Sequence, residues 1–157
     1  MRNSNLLPEL IAIAAERSPD ATALVFGKEN QTYEGLQEAV ADFAGGLMHL
    51  GLQRGERVAI YLEKRFETVI ASFGAPAAGG VFVPLNPLLK PEQIGYILRD
   101  CNVRVLVTSP ERLALLSETL NQCHDLRHVV VLDSNDPLPS GGPVAFCRWG
   151  ELLSLPR

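Results

Sequence analysis

Cys123-His124 and His128 place a thiol and two imidazoles close together, the ligand types of zinc sites and the partners of a Cys-His nucleophile. No second cysteine stands at zinc-finger spacing and no carboxylate completes a catalytic set. Sequence neighbours also lack the geometry of a dyad, so neither a metal site nor a nucleophile is expected here. Gly79-Gly80 suggests a phosphate cradle. Phosphate loops follow a strand and open a helix, whereas these glycines close a helix and open a strand. Their expected work is a tight turn and close packing. Glu63-Lys64-Arg65, Asn86, Thr108-Ser109 and Asp133 each come at or just after an apolar run. In an open α/β sheet that places them at the carboxyl ends of the strands, where a ligand binds. Ser109, before Pro110, can accept an anion at a helix N-terminus, and helix capping alone also accounts for it. No catalytic residue and no metal ligand is assigned.

The elements that position these residues read clearly. A helix is predicted over Leu7 to Arg17, then a small hairpin of Ala23 to Phe26 and Gln31-Thr32 about a turn at Gly27 to Asn30. From Tyr33, Leu36, Val40, Phe43, Leu47 and Leu50 recur at helical steps, and Gly51-Leu52 has the form of a C-cap with its hydrophobic contact. Val58 to Leu62 reads as a strand buried on both sides. A helix marked by Phe66, Val69, Ile70, Phe73 and Ala77 leads to the strand Val81 to Val83. A helix from Pro91 ends at Asn102, before the strand Val103 to Val107. Ser109-Pro110-Glu111 opens a helix carrying Leu113, Leu116 and Leu120, and Val129 to Leu132 is a fourth apolar strand.

Strands alternating with helices predict an α/β fold: a mostly parallel, Rossmann-like sheet in three layers, helices on both faces, with the small N-terminal hairpin as an appendage. Residues 133–143, rich in Pro, Gly, Ser and Asp, are expected as an exposed loop, and Trp149 to Leu153 as a last helical turn.

Composition narrows the function classes. A chain of 157 residues has room for one domain with a core. Its net charge of −4 supplies no basic field for a nucleic-acid backbone, so no nucleic-acid partner is expected. Cys101, Cys123 and Cys147 are odd in number and widely spaced, which suits free thiols in a reducing cytoplasm. The apolar stretch from Leu6 to Ala15 is broken by Pro8 and Glu9 and fits neither a signal peptide nor a transmembrane segment.

The run Phe73-Gly-Ala-Pro-Ala-Ala-Gly-Gly-Val-Phe-Val-Pro-Leu-Asn-Pro87 resembles a signature of the adenylate-forming enzymes, the superfamily of acyl-CoA synthetases, luciferases and peptide-synthetase adenylation domains. Other segments are similar to that family in the same order. They are Leu10 to Phe26, Thr32-Tyr33, Gly51-Leu52-Gln53-Arg54-Gly55-Glu56-Arg57-Val58-Ala59, and Ile97 to Thr108. There are departures. The family's capping-box glutamate is replaced by Gly35 and shifted to Glu34, and Pro76 is expected to distort the last turn of its helix.

The resemblance implies the N-terminal subdomain, residues 1–157, of an AMP-forming acyl-CoA ligase. Such an enzyme activates a small-molecule carboxylate with ATP and Mg to an acyl adenylate and transfers the acyl group to coenzyme A. The family's Gly/Ser/Thr-rich phosphate loop ending in Pro-Lys and its C-terminal lysine have no counterpart here, so the expectation is a segment truncated before that loop. It is expected to be inactive alone, to bind no cofactor firmly, and to be able to form a homodimer through surface exposed by truncation. Some family members meet a coenzyme A phosphate with an arginine just after Asn-Pro. Here that place is Leu88, and Lys90 is the candidate cofactor-binding cation, with a merely solvated lysine as the other reading. A free-standing, non-catalytic nucleotide- or protein-binding module is the alternative for the whole chain.

Overall fold

The computed structural model describes residues 6–157. Helix α1 (Leu7–Arg17) precedes an antiparallel pair, β1 (Thr22–Phe26) and β2 (Glu29–Thr32). Then follow α2 (Tyr33–His49), β3 (Arg57–Tyr61), α3 (Phe66–Ala77), β4 (Val81–Pro84), α4 (Pro91–Asp100) and β5 (Val103–Thr108). The chain continues through α5 (Pro110–Leu115), α6 (Ser117–Leu120), β6 (His128–Val131), β7 (Ala145–Arg148) and α7 (Trp149–Leu153). Strands β3 to β7 form one parallel sheet in the order β4-β3-β5-β6-β7. This is the three-layer α/β fold expected from the alternating pattern.

The continuous apolar runs make sense because successive side chains of a strand point to opposite faces, and here both faces are covered. Val58, Ile60, Val107 and Val130 pack with Leu36, Val40, Phe43 and Ile70 of α2 and α3. Ala59, Tyr61, Leu106 and Val129 pack on the other face with Ile94 and Leu98 of α4 and with Leu116 and Leu120. Each such Leu or Ile, fully buried, contributes on the order of 1.5–3 kcal/mol before the entropy of ordering it is subtracted.

Helix ends follow the local chemistry. The Gly35 N–H donates to Thr32 Oγ1 at 3.1 Å, capping α2. At the other end Gly51, with φ of 92°, takes the left-handed position. The Gly51 and Leu52 N–H groups then donate to the Met48 and Leu47 carbonyls, and Leu52 packs into the core beside Leu47. The end of α3 repeats this device with Gly79, φ 85°, while Gly80 leaves room for Leu52 and for the Glu56 carbonyl. The glycine pair is therefore a cap and a close contact.

Four sequence expectations need correction. A fifth strand, β7, extends the sheet; it is a half-buried edge strand of four residues with no continuous apolar run to announce it. The helix expected from Pro110 through Leu120 is two helices broken at Leu116, which has φ −102° and ψ 0° and is fully buried. Pro76 does not spoil the last turn of α3. It is the penultimate residue of that helix, and the Ala78 N–H still reaches the Gly74 carbonyl at 3.0 Å. The hairpin strands are longer than expected, β1 starting at Thr22 and β2 at Glu29.

Small residues let the helices on the first face approach closely. A Cβ at Gly74 would lie 2.4 Å from Phe43 Cδ1, and one at Gly46 would lie 2.6 Å from both Cγ and the carbonyl oxygen of Leu152 in α7. Trp149 stacks on Phe43 with ring centroids 5.0 Å apart, fixing α7 against α2. Gly46→Val should therefore overpack this contact and lower stability by about 1–3 kcal/mol, read as a reduced urea midpoint. Gly142→Ala, where nothing lies within 4 Å, should stay within about 0.5 kcal/mol of the unmodified chain.

Candidate functional site

The strand order reverses between β3 and β5: β3 connects through α3 to β4 on one side, whereas β5 connects onward to β6 on the other. Such a switch point opens a crevice at the carboxyl ends of the two strands. In this chain side chains close it. Thr108 Oγ1, fully buried at the end of β5, donates to the Tyr61 carbonyl of β3 at 3.0 Å. Arg112 of α5 lies across the gap, its Nη2 3.4 Å from Glu63 Oε2 and its guanidinium carbon 5.3 Å from the Tyr61 ring centroid. The Arg112 Nε is buried without a hydrogen-bond partner among the described residues.

Arg65, just after β3, ties this edge to β6. Its Nη1 and Nη2 donate to the two Asp133 carboxylate oxygens at 2.7 and 3.3 Å, and its Nε donates to Glu67 Oε2 at 2.8 Å. The forked guanidinium matches the planar carboxylate, a geometry a lysine would not reproduce. These contacts hold the Arg65 pKa above the ordinary arginine range, the Glu67 bond contributing most. The Arg65 bond in turn holds the Asp133 carboxyl below the usual carboxylate range. Asp133 has φ of 53°, a left-handed conformation that Asp and Asn tolerate better than branched residues, and so turns the chain out of β6 toward Arg65.

A cleft of about 580 Å³ lies beside this pair, over the ends of β6 and β7 and next to Trp149. The cation in its lining, Arg148, is also committed. Arg148 donates to the carbonyls of Ser134 at 3.1 Å and Asp136 at 2.6 Å, and to Glu151 Oε1 at 3.0 Å. Backbone and side-chain bonds from Arg148 hold Glu151 below the ordinary carboxylate range. Paired in this way, the arginines and carboxylates anchor the connections after β3, β6 and β7. They offer no free base or nucleophile.

The other sequence candidates lie apart. Ser109 is a buried residue whose hydroxyl makes no capping bond; only its carbonyl serves α5, accepting from Leu113 at 2.9 Å. Asn86 Oδ1 accepts from the Leu88 N–H at 2.9 Å, shaping the turn after β4. Lys90 is exposed at the start of α4, its backbone N–H donating to Gln93 Oε1 at 2.9 Å. Cys123 is buried and donates to the Thr119 carbonyl at 3.4 Å, its thiol pKa raised by burial. His124 is exposed, and His128 is half-buried, its pKa lowered mainly by burial. Among the described residues no group of three His, Cys, Asp or Glu side chains is placed to hold a metal ion, and no helix is long and apolar enough to cross a membrane.

Sequence reasoning placed Glu63, Arg65 and Asp133 at one edge but missed Glu67, Arg112 and Arg148. Glu67 and Arg112 sit on helices that follow the switch strands, and that position was the available signal. Arg148 depends on β7, which the pattern concealed.

The family model described as "AMP-binding enzyme" matches residues 11–146. The chain belongs to the AMP-binding enzyme family. It is 34% identical over 134 residues to bacitracin synthase 1 of Bacillus licheniformis, a match covering 85% of this chain and 2% of that protein. A long-chain-fatty-acid–CoA ligase of Bacillus subtilis is 36% identical over 102 residues, covering 65% of this chain and 18% of the ligase. Among solved structures, an anthranilate CoA ligase in complex with anthranoyl-AMP superposes with a TM-score of 0.83 at 25% identity, covering 98% of this chain and 28% of that one. The chain thus spans a small part of the relatives it matches.

The Arg65–Asp133 pair gives a signed pH dependence. Asp133 has a depressed folded pKa, so its contribution is complete above the unfolded value of 3.8 and is lost as pH falls through the lower folded value. Asp133→Asn, which keeps the left-handed turn, should cost about 0.2–1 kcal/mol at pH 7 for so exposed a pair. Urea midpoints of the two proteins should converge as the pH is lowered below 3.8.

Proposed function

We propose that this chain forms the N-terminal α/β part of an AMP-forming ligase. That enzyme activates a carboxylic acid with ATP and passes the acyl group from the adenylate to coenzyme A. The observation that carries this reading is the superposition of nearly the whole chain on an anthranilate CoA ligase. The match to a long-chain-fatty-acid–CoA ligase supports coenzyme A as the acceptor.

The chain's own residues fit a scaffold role within that enzyme. Glu63, Glu67 and Asp133 are all engaged by arginine, so they do not fit a Mg site. We assign ATP and Mg to the remainder of the full-length enzyme. Lys90, exposed after the β4 turn, is the residue we propose to meet an anionic part of coenzyme A. The isolated chain is then inactive, a homodimer can form through the surface that the remainder would cover, and free thiols suit a cytoplasmic location.

Carboxylate-dependent exchange of pyrophosphate into ATP tests this reading. A full-length polypeptide carrying the chain should exchange with at least one acid of an aliphatic and aromatic panel, while the 157-residue chain should match a no-protein control. In the full-length enzyme Lys90→Ala should raise the KM for coenzyme A and leave exchange unchanged. Exchange by the isolated chain, or none by the full-length polypeptide with any acid, would overturn the proposal.

A further inference from the structure

We propose that the cavity beneath the 133–143 loop is a binding site for a small amphipathic organic anion, separate from the carboxyl edge. The cavity has a volume of about 400 Å³, within the range of small-molecule sites. It lies where β6 and β7 begin, on the face covered by α4, α5 and α6, and shares no residue with the cluster of Arg65, Arg112 and Asp133. The inference does not rest on the ligase reading.

Its walls are built for an apolar body. Leu113, Leu120, Leu126 and Phe146 line it, and each belongs to or packs against the core on that face. The Cys123 thiol in the wall already donates to the Thr119 carbonyl, so it presents no unmet donor to a polar guest. A chain of methylene groups lying on these four side chains would exchange water for hydrocarbon contacts, while Ser117, Asn121 and Ser140 supply the polar part of the lining.

The lining residues carry charge of one sign: Arg127 is among them, and no Asp or Glu is. Arg127 is exposed and uses Nη1 on the His124 carbonyl at 2.9 Å; the guanidinium has further donors for an anion. Asp125, the carboxylate adjoining His124, lies outside the lining; it accepts from Asn102 Nδ2 at 2.8 Å and Arg104 Nη1 at 3.3 Å, and the charge of Arg127 also reaches it, so Arg127 is only partly compensated. An anionic head at the rim would therefore meet a cation while its tail fills the apolar walls.

The test is a titration of the ¹⁵N-labelled 157-residue chain with 1-octanesulfonate and, separately, with neutral 1-octanesulfonamide. A sulfonate is not a carboxylate substrate, so the outcome is independent of the ligase reading. Both probes should give saturable shifts of the Leu113, Leu120 and Phe146 amides, the sulfonate binding about three- to fivefold more tightly, as for an exposed ion pair. Arg127→Gln should abolish that difference and leave the sulfonamide Kd unchanged. Failure of these amides to shift, shifts centred instead on Arg65 and Asp133, equal Kd values for the two probes, or a difference that survives Arg127→Gln would each overturn the proposal.

Discussion

A parallel sheet must be buried on both faces, and the rest of this fold follows from that constraint. The crossovers that join parallel strands deposit helices on the sheet, and each helix must then find an apolar face to cover. Strands β3, β5 and β6 meet the demand with β-branched and aliphatic residues at most positions. On one side the layer is tight because glycines in α2 and α3 remove the Cβ atoms that would hold Phe43 and Leu152 away. On the other side α4 is joined by two short helices, and the looser cover leaves a cavity beside Phe146.

The same topology decides what the carboxyl edge can do. Strand order creates a crevice between β3 and β5, the place where open α/β sheets ordinarily take a ligand. Here Thr108, Arg112 and Glu63 span it, while Arg65 binds the turn after β6. An arginine fork paired with carboxylates is a rigid tie between loops and a poor reagent, because neither partner is free to exchange a proton near neutral pH. The edge thus presents ordered connections.

Much of this was legible in the sequence, for identifiable reasons. Helix periodicity across Leu36, Val40, Phe43 and Leu47, and the Gly51 and Gly79 caps, are local signals that tertiary structure did not override. The crevice positions Glu63, Arg65 and Asp133 were placed because each follows a recognisable strand. What escaped depended on partners distant in sequence. β7 is a strand because β6 offers it a ladder, and its Ala-Phe-Cys-Arg sequence alone carries no strand pattern. The break at Leu116 preserves the apolar face that periodicity identified, so the pattern could not reveal it. Arg112 on Tyr61 and Arg65 on Asp133 are pairings across elements, invisible until the strand order is known.

The central claim is that this chain's own side chains close the crevice between β3 and β5. Titration of the ¹⁵N-labelled chain with Mg-ATP, followed at Arg65, Thr108, Arg112 and Asp133, examines it most directly. A closed edge predicts that these signals stay in place up to millimolar nucleotide. Saturable movement of this set would contradict the claim and make the crevice a nucleotide site in its own right.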